Sequence, residues 1–105
     1  MRVLFLCSKN QLRSPTAECL FADHDGIETD SAGLNRDAGI RLSAEQIEWA
    51  DLILVMEPVH RKKLTQNYQP FLRDKRIIVL GIPDHYRFMD PVLIALLKKK
   101  CAPYF

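Results

Sequence analysis

The sequence predicts an α/β fold: a single domain over residues 1–105, three layers deep, with a four-stranded parallel sheet and helices on both faces. Three observations carry that expectation. Four strand-like runs, at residues 3–6, 27–32, 51–56 and 76–80, are each followed by a helical segment. The third run, Asp51-Leu-Ile-Leu-Val-Met56, is nearly all apolar and bounded by charge, as suits a strand buried on both faces. The β-α-β-α-β-α-β-α order requires parallel strands joined by right-handed crossovers. In such sheets ligands bind at the carboxyl ends of the strands. Cys7, Gly33, Met56 and Asp84 follow the four strands and fall together at that edge.

Bulk composition narrows the function classes. The chain has 105 residues, 48% apolar and 27% charged, which is the balance of an ordinary globular protein. A net charge of +2 is too small to argue for nucleic acid. The N-terminal apolar run is too short for a signal peptide or a membrane span. The three cysteines, at 7, 19 and 101, form no C-x-x-C pair and no His-bearing metal spacing. An odd, scattered count suggests a reducing, cytoplasmic setting.

Val3 to Leu6 forms the first strand, and Ser14-Pro15 signals a helix start, with Ser as N-cap and Pro in the first turn. Between them lies a short loop that opens with Cys7 and closes with Arg13. A strand, a tight loop and a helix N-terminus make an anion site, where loop N–H groups and the helix dipole favour negative charge. The same field suits a thiolate at Cys7. Arg13, six residues on, grips two oxygens of a phosphate in a way that Lys does not. A helix from Ser14 to Asp23 presents Ala17, Leu20 and Phe21 as its core face, and carries Cys19.

Asp25-Gly26 marks a turn, and a second strand runs from Ile27 to Ala32, ending in Ser31-Ala32-Gly33. After a polar connection over 34–42, Ser43-Ala-Glu-Gln46 fits a capping box for a short helix reaching Ala50. Trp49 reads as core or partly buried surface. The third strand follows, and Glu57-Pro58 opens a helix with Val59, Leu64 and Tyr68 facing inward; Arg61, Lys62 and Lys63 read as its solvated face. Arg76 to Leu80 is the fourth strand, with a loop over 81–89 behind it. Asp90-Pro91 then caps a last helix with Val92, Leu93, Leu96 and Leu97 as its stripe. Lys98, Lys99 and Lys100 complement the dipole at its end.

A Cys with an Arg six residues later is common by chance, but the longer string Cys7-x-x-Asn10-x-x-Arg13-Ser14-Pro15-x-Ala17-Glu18 is not. It closely resembles the signature Cys-x5-Arg loop of the low-molecular-weight protein tyrosine phosphatases. The Ser-Ala-Gly triplet and the "aspartate, apolar run, Met-acidic, helix" passage at 51–58 resemble that family too, in the same chain order. The resemblance implies a cysteine-dependent phosphatase acting through a phosphocysteine. Cys7 would be the nucleophile, and Ser8, Lys9, Asn10, Gln11, Leu12, Arg13 and Ser14 the phosphate-binding loop. It further implies that Asn10 hydrogen-bonds within the loop, that Ser14 donates to Cys7, and that no metal or organic cofactor is needed.

Such a reaction needs one carboxyl group to protonate the leaving oxygen and then activate water. Two aspartates compete. Asp84, in Ile82-Pro83-Asp84-His85-Tyr86, follows the fourth strand, with Tyr two residues on as in the family. Asp90 has the family's Asp-Pro dipeptide but a sufficient job as an N-cap. Asp84 is preferred, with His85 a weaker third option.

The chain also departs from the family pattern. Lys9 stands for a usual Gly, Leu12 for a second Cys, and His85 for the Pro after the acid. The trimmed 34–42 segment carries no aromatic wall for a substrate ring, a role that leaves Tyr86 and Phe88 as substitutes. The expected substrate is a phosphorylated protein, with phosphotyrosine first, or a small phosphoester; a wider pocket would accept phosphoarginine, a small aryl phosphate or another phosphorylated metabolite. Neither nucleic acid nor membrane is an expected partner. An arsenate reductase, for which Cys19 and Cys101 are not an obvious relay, and a phosphate- or phosphopeptide-binding module without turnover, are the alternatives.

Overall fold

The computed structural model describes residues 1–105. Its elements are β1 (Arg2–Cys7), α1 (Arg13–Phe21), β2 (Glu28–Gly33), α2 (Ala44–Trp49), β3 (Leu52–Val55), α3 (Pro58–Tyr68), β4 (Arg76–Val79) and α4 (Pro91–Cys101). One-turn 3-10 helices follow α3 and α4, at Gln69–Phe71 and Ala102–Tyr104. Every strand pair is parallel, in the order β2-β1-β3-β4. The chain thus leaves β1 to one side for β2, then crosses to the other side for β3. The crevice of such a sheet opens where that direction reverses, at the carboxyl end of β1.

Strand periodicity divides the core into two layers. Val3, Phe5, Leu52 and Leu54 face α1 and α4, where they meet Ala17, Phe21, Leu93, Leu97 and Cys101. Leu4, Leu6, Ile53 and Val55 face the opposite way, against Ile47 of α2 and Leu64 of α3. β1 and β3 are therefore buried on both faces, which is why they read as unbroken apolar runs. Each such fully buried Leu or Ile contributes about 1.5–3 kcal/mol. The edge strands, β2 and β4, carry polar or half-buried residues instead, apart from the buried Ala32 and Gly33 that end β2. α2 begins with the capping box: the Ser43 hydroxyl accepts from Gln46 N–H, and the Gln46 side chain accepts from Ser43 N–H. Trp49 is half-buried against the layer that holds Ile47.

Three helix faces differ from the sequence expectation. α1 begins at Arg13 with Leu12 in the N-cap position, so Ser14 is inside the helix and caps nothing. In α3, Val59 is 48% exposed and the inward stripe is His60, Leu64 and Tyr68. In α4, Val92 is 62% exposed and the stripe is Leu93, Leu97 and Cys101, with Leu96 half-buried. Each of these stripes runs at i, i+4 and i+8, and the displaced valine sits one residue before it in the first turn, on the rim. No helix is long and apolar enough to cross a membrane.

Candidate active site

Cys7 ends β1, in register with Gly33 of β2. The loop that follows turns sharply at Asn10, whose φ of 56° lies in the left-handed region that Asn tolerates better than most residues. Its side chain holds that turn. Nδ2 donates to Ser14 Oγ at 3.0 Å and to Ser31 Oγ at 2.9 Å, while Oδ1 accepts from Ile40 N–H at 3.2 Å. Ser31 Oγ in turn donates to Glu18 Oε1. Ser14 Oγ, which accepts from Asn10, lies 2.9 Å from Cys7 Sγ and 3.5 Å from a second acceptor, Ala32 O. The Asn10 N–H also points at that sulfur, at 3.2 Å. The Asn10 N–H and the Ser14 hydroxyl therefore converge on Cys7, and both are oriented by a chain of polar side chains reaching back to Glu18. The N–H groups of Ser8, Lys9, Gln11, Leu12 and Arg13 donate to no protein acceptor. Gly33 is indispensable to this arrangement, since a Cβ there would lie 2.7 Å from Ser8 O and 2.5 Å from Ala38 Cβ.

Arg13 is 3% exposed and held from two directions. Nη1 donates to the Glu57 carboxylate at the start of α3 and to Ile82 O at 2.9 Å. Nε lies 3.7 Å from Asp84 Oδ1. Nη2 has no protein acceptor. Cys7, Arg13 and Asp84 share one pocket of about 290 Å³. Ser8, Lys9, Gln11 and Leu12 complete its floor and wall, with Asn35 on the far side.

Comparison with known proteins gives the arrangement a context. No family model and no curated protein matches the chain. Among solved structures, Wzb from Vibrio vulnificus in complex with benzylphosphonate superposes with a TM-score of 0.79 at 23% identity, covering 98% of this chain and 95% of that one. SP-PTP, a low molecular weight protein tyrosine phosphatase from Streptococcus pyogenes, gives 0.79 at 18% identity, over 99% and 90%. The YwlE arginine phosphatase from Geobacillus stearothermophilus gives 0.66 at 23%, over 97% and 84%. The chain has the low-molecular-weight tyrosine phosphatase fold.

Within this phosphatase fold the remaining predicted residues separate clearly. Asp90 lies at the N-cap of α4, where Oδ1 accepts from Val92 N–H at 2.9 Å, and it lines no part of the pocket. His85 and Phe88 are exposed, and Tyr86 packs against the α1–α4 layer, so no aromatic ring lines the pocket. Cys19 is exposed. Cys101 is wholly buried in α4, and burial pushes its thiol up to about 12, which leaves it inert.

Two site residues escaped the sequence reading. Glu57, seen there only as a helix start, is the carboxylate that holds Arg13. His60, one turn later, is fully buried: Nδ1 accepts from Glu57 N–H at 3.0 Å, so Nε2 carries the proton and donates to Ser8 Oγ at 2.9 Å. Burial foremost, then the Arg13 charge, lowers the His60 pKa to about 4 and keeps the ring neutral. The available signal was its place four residues before Leu64, on the inward stripe.

Proposed function

We propose that the chain is a cysteine-dependent phosphatase that hydrolyses phosphate monoesters, phosphotyrosine in proteins first among them. The observation that carries this reading is the meeting of Cys7, Arg13 and Asp84 in one small pocket ringed by unpaired loop N–H groups. Those amides and Arg13 bind the phosphoryl oxygens, with Glu57 and Ile82 O holding the guanidinium in place. The Cys7 thiolate attacks phosphorus, the P–O ester bond breaks, and Asp84 gives its proton to the leaving oxygen. Asp84 then takes a proton from water, which attacks the phosphocysteine; the P–S bond breaks, releasing inorganic phosphate and the thiolate. Ser14 and the Asn10 N–H stabilise that thiolate as it leaves. The reading treats residues 1–105 as one domain working without metal or cofactor, in a reducing cytoplasm where the thiolate persists.

A second substrate, phosphoarginine, is favoured by one observation: the pocket has no aromatic ring to stack on a phenol. The YwlE structure superposed on this chain is that of an arginine phosphatase. Relay chemistry through Cys101 has no support, given its inert thiol.

Hydrolysis of a small aryl phosphate at about pH 6 tests the assignment. Cys7→Ser is expected to abolish turnover, and Asp84→Ala to lower kcat by about 100-fold or more. Asp90→Ala should keep its rate while losing about 1 kcal/mol of stability with the α4 cap. A crippled Asp90→Ala with its fold intact by circular dichroism would transfer the acid role to Asp90. Rates on phosphotyrosine and phosphoarginine then choose the substrate.

A further inference from the structure

Beside the catalytic pocket, the 34–42 segment and α3 enclose a second concavity of about 690 Å³, and Asn35 lines both. Three cations, Arg36, Arg41 and Lys63, line this groove, and none pairs with a carboxylate. Its one acidic residue, Asp37, lies 3.7 Å from Lys9. In a chain whose net charge is only +2, this is a local concentration of unpaired positive charge. Like charges gathered in a cleft repel one another, and an anionic occupant relieves them. Two amide side chains, Gln66 and Asn67, add donors and acceptors suited to a peptide backbone.

The groove is held in fixed register with the phosphate site. Leu34 N–H donates to Cys7 O at 3.0 Å, Asn35 N–H to Ser8 O at 2.9 Å, and Gly39 N–H to Lys9 O at 2.8 Å. Lys63 Nζ donates to Asn35 Oδ1 at 3.1 Å, tying α3 to the same segment. A group bound in the groove therefore sits at a set offset from the phosphoryl group in the pocket. We propose that the groove is the second contact of a polypeptide substrate and takes acidic side chains flanking the phosphorylated residue. The proposal rests on the phosphatase reading of the adjoining site.

The test compares two phosphotyrosine peptides, one flanked by Asp and Glu and one by Ser and Ala, on wild type and on Arg36→Gln/Arg41→Gln. Wild type should favour the acidic peptide in kcat/KM by about fivefold at low salt, with the preference shrinking as salt is raised. The double variant should lose that preference and keep its rates on the neutral peptide and on a small aryl phosphate. Equal use of both peptides by wild type, or a preference that survives in the double variant, overturns the proposal. Failure of wild type to hydrolyse the aryl phosphate would refute the phosphatase reading instead. Calorimetric binding of the same peptides to Cys7→Ser protein, with and without the two Arg substitutions, still decides the groove by the same criterion. Binding of a single-stranded oligonucleotide that the Arg substitutions abolish, with no peptide preference, would overturn it in favour of nucleic acid.

Discussion

His60 holds no place in the pocket, yet it is bonded to two residues that shape it, Ser8 of the 7–13 loop and Glu57, the carboxylate partner of Arg13. Its neutrality has a cost at low pH. In the unfolded chain the imidazole takes a proton near its ordinary 6.5, whereas in the folded chain it resists until about 4. Between those values the unfolded state binds more protons, so stability falls as pH falls; below about 4 both states are protonated and the loss levels off. The contribution is about 3 kcal/mol over that window. Urea unfolding of wild type and His60→Gln between pH 7 and pH 4 should show the variant's pH dependence flattened by roughly that amount. Parallel curves for the two proteins would place the acid sensitivity elsewhere. Asn10 allows a comparable separation of causes. Asn10→Gly keeps the left-handed backbone and loses the side-chain bonds, whereas Asn10→Ala loses both. Asn10→Ala should therefore be the less stable of the two, by about 1 kcal/mol in thermal or urea unfolding.

Strand β2 and the segment behind it form the outer support of the 7–13 loop, and Gly33 is where they touch it most closely. Gly33→Ala forces backbone to move, because the obstructing atoms are Ala38 Cβ and the Ser8 carbonyl, neither of which can rotate away. Its aryl phosphatase rate should fall at least tenfold, alongside a lower Tm. Gly26→Ala is the control: with φ at 82° and nothing within 4 Å, it should cost about 1 kcal/mol through backbone strain and leave the rate intact. A Gly33→Ala protein as active as the control would show that the loop does not depend on this contact. The contrast also explains what the sequence discloses and what it withholds. Cys7 and Arg13 stand out because one ends a strand and the other begins a helix, where local patterns are strongest, and Asp84 because it lies in the loop behind the last strand. The Leu52–Val55 run and the Ser43–Gln46 box are legible for the same reason. Val59 and Val92 mislead because apolarity alone does not fix the rotation of a helix's first turn about its axis. His60 and Glu57 are concealed more deeply: their partners lie 52 and 44 residues away, and only the folded sheet brings them together.

At the scale of the whole molecule, the two core layers meet across β1 and β3, and the Cys7 pocket is seated over the end of β1. Its parts are drawn from residues 7 to 84, and contacts of equal range brace the structure around them. Arg13 reaches the Ile82 carbonyl across 69 residues, and Met89 N–H reaches Thr16 Oγ1 across 73. Contacts of such long range form late in folding, because the intervening chain must be ordered before they can reward it. Helices α1 and α3, by contrast, form from neighbours in sequence, on a far shorter timescale. After dilution from urea, helical circular dichroism should therefore return first. Trp49 fluorescence should report the packing of the α2 layer next, and aryl phosphate hydrolysis should return last. Recovery of hydrolysis in step with the first helical signal would contradict this order. Because Arg13 is held by the Ile82 carbonyl, beyond the last strand, a recovered hydrolysis signal would serve as a clock for the docking of β4 and the loop behind it.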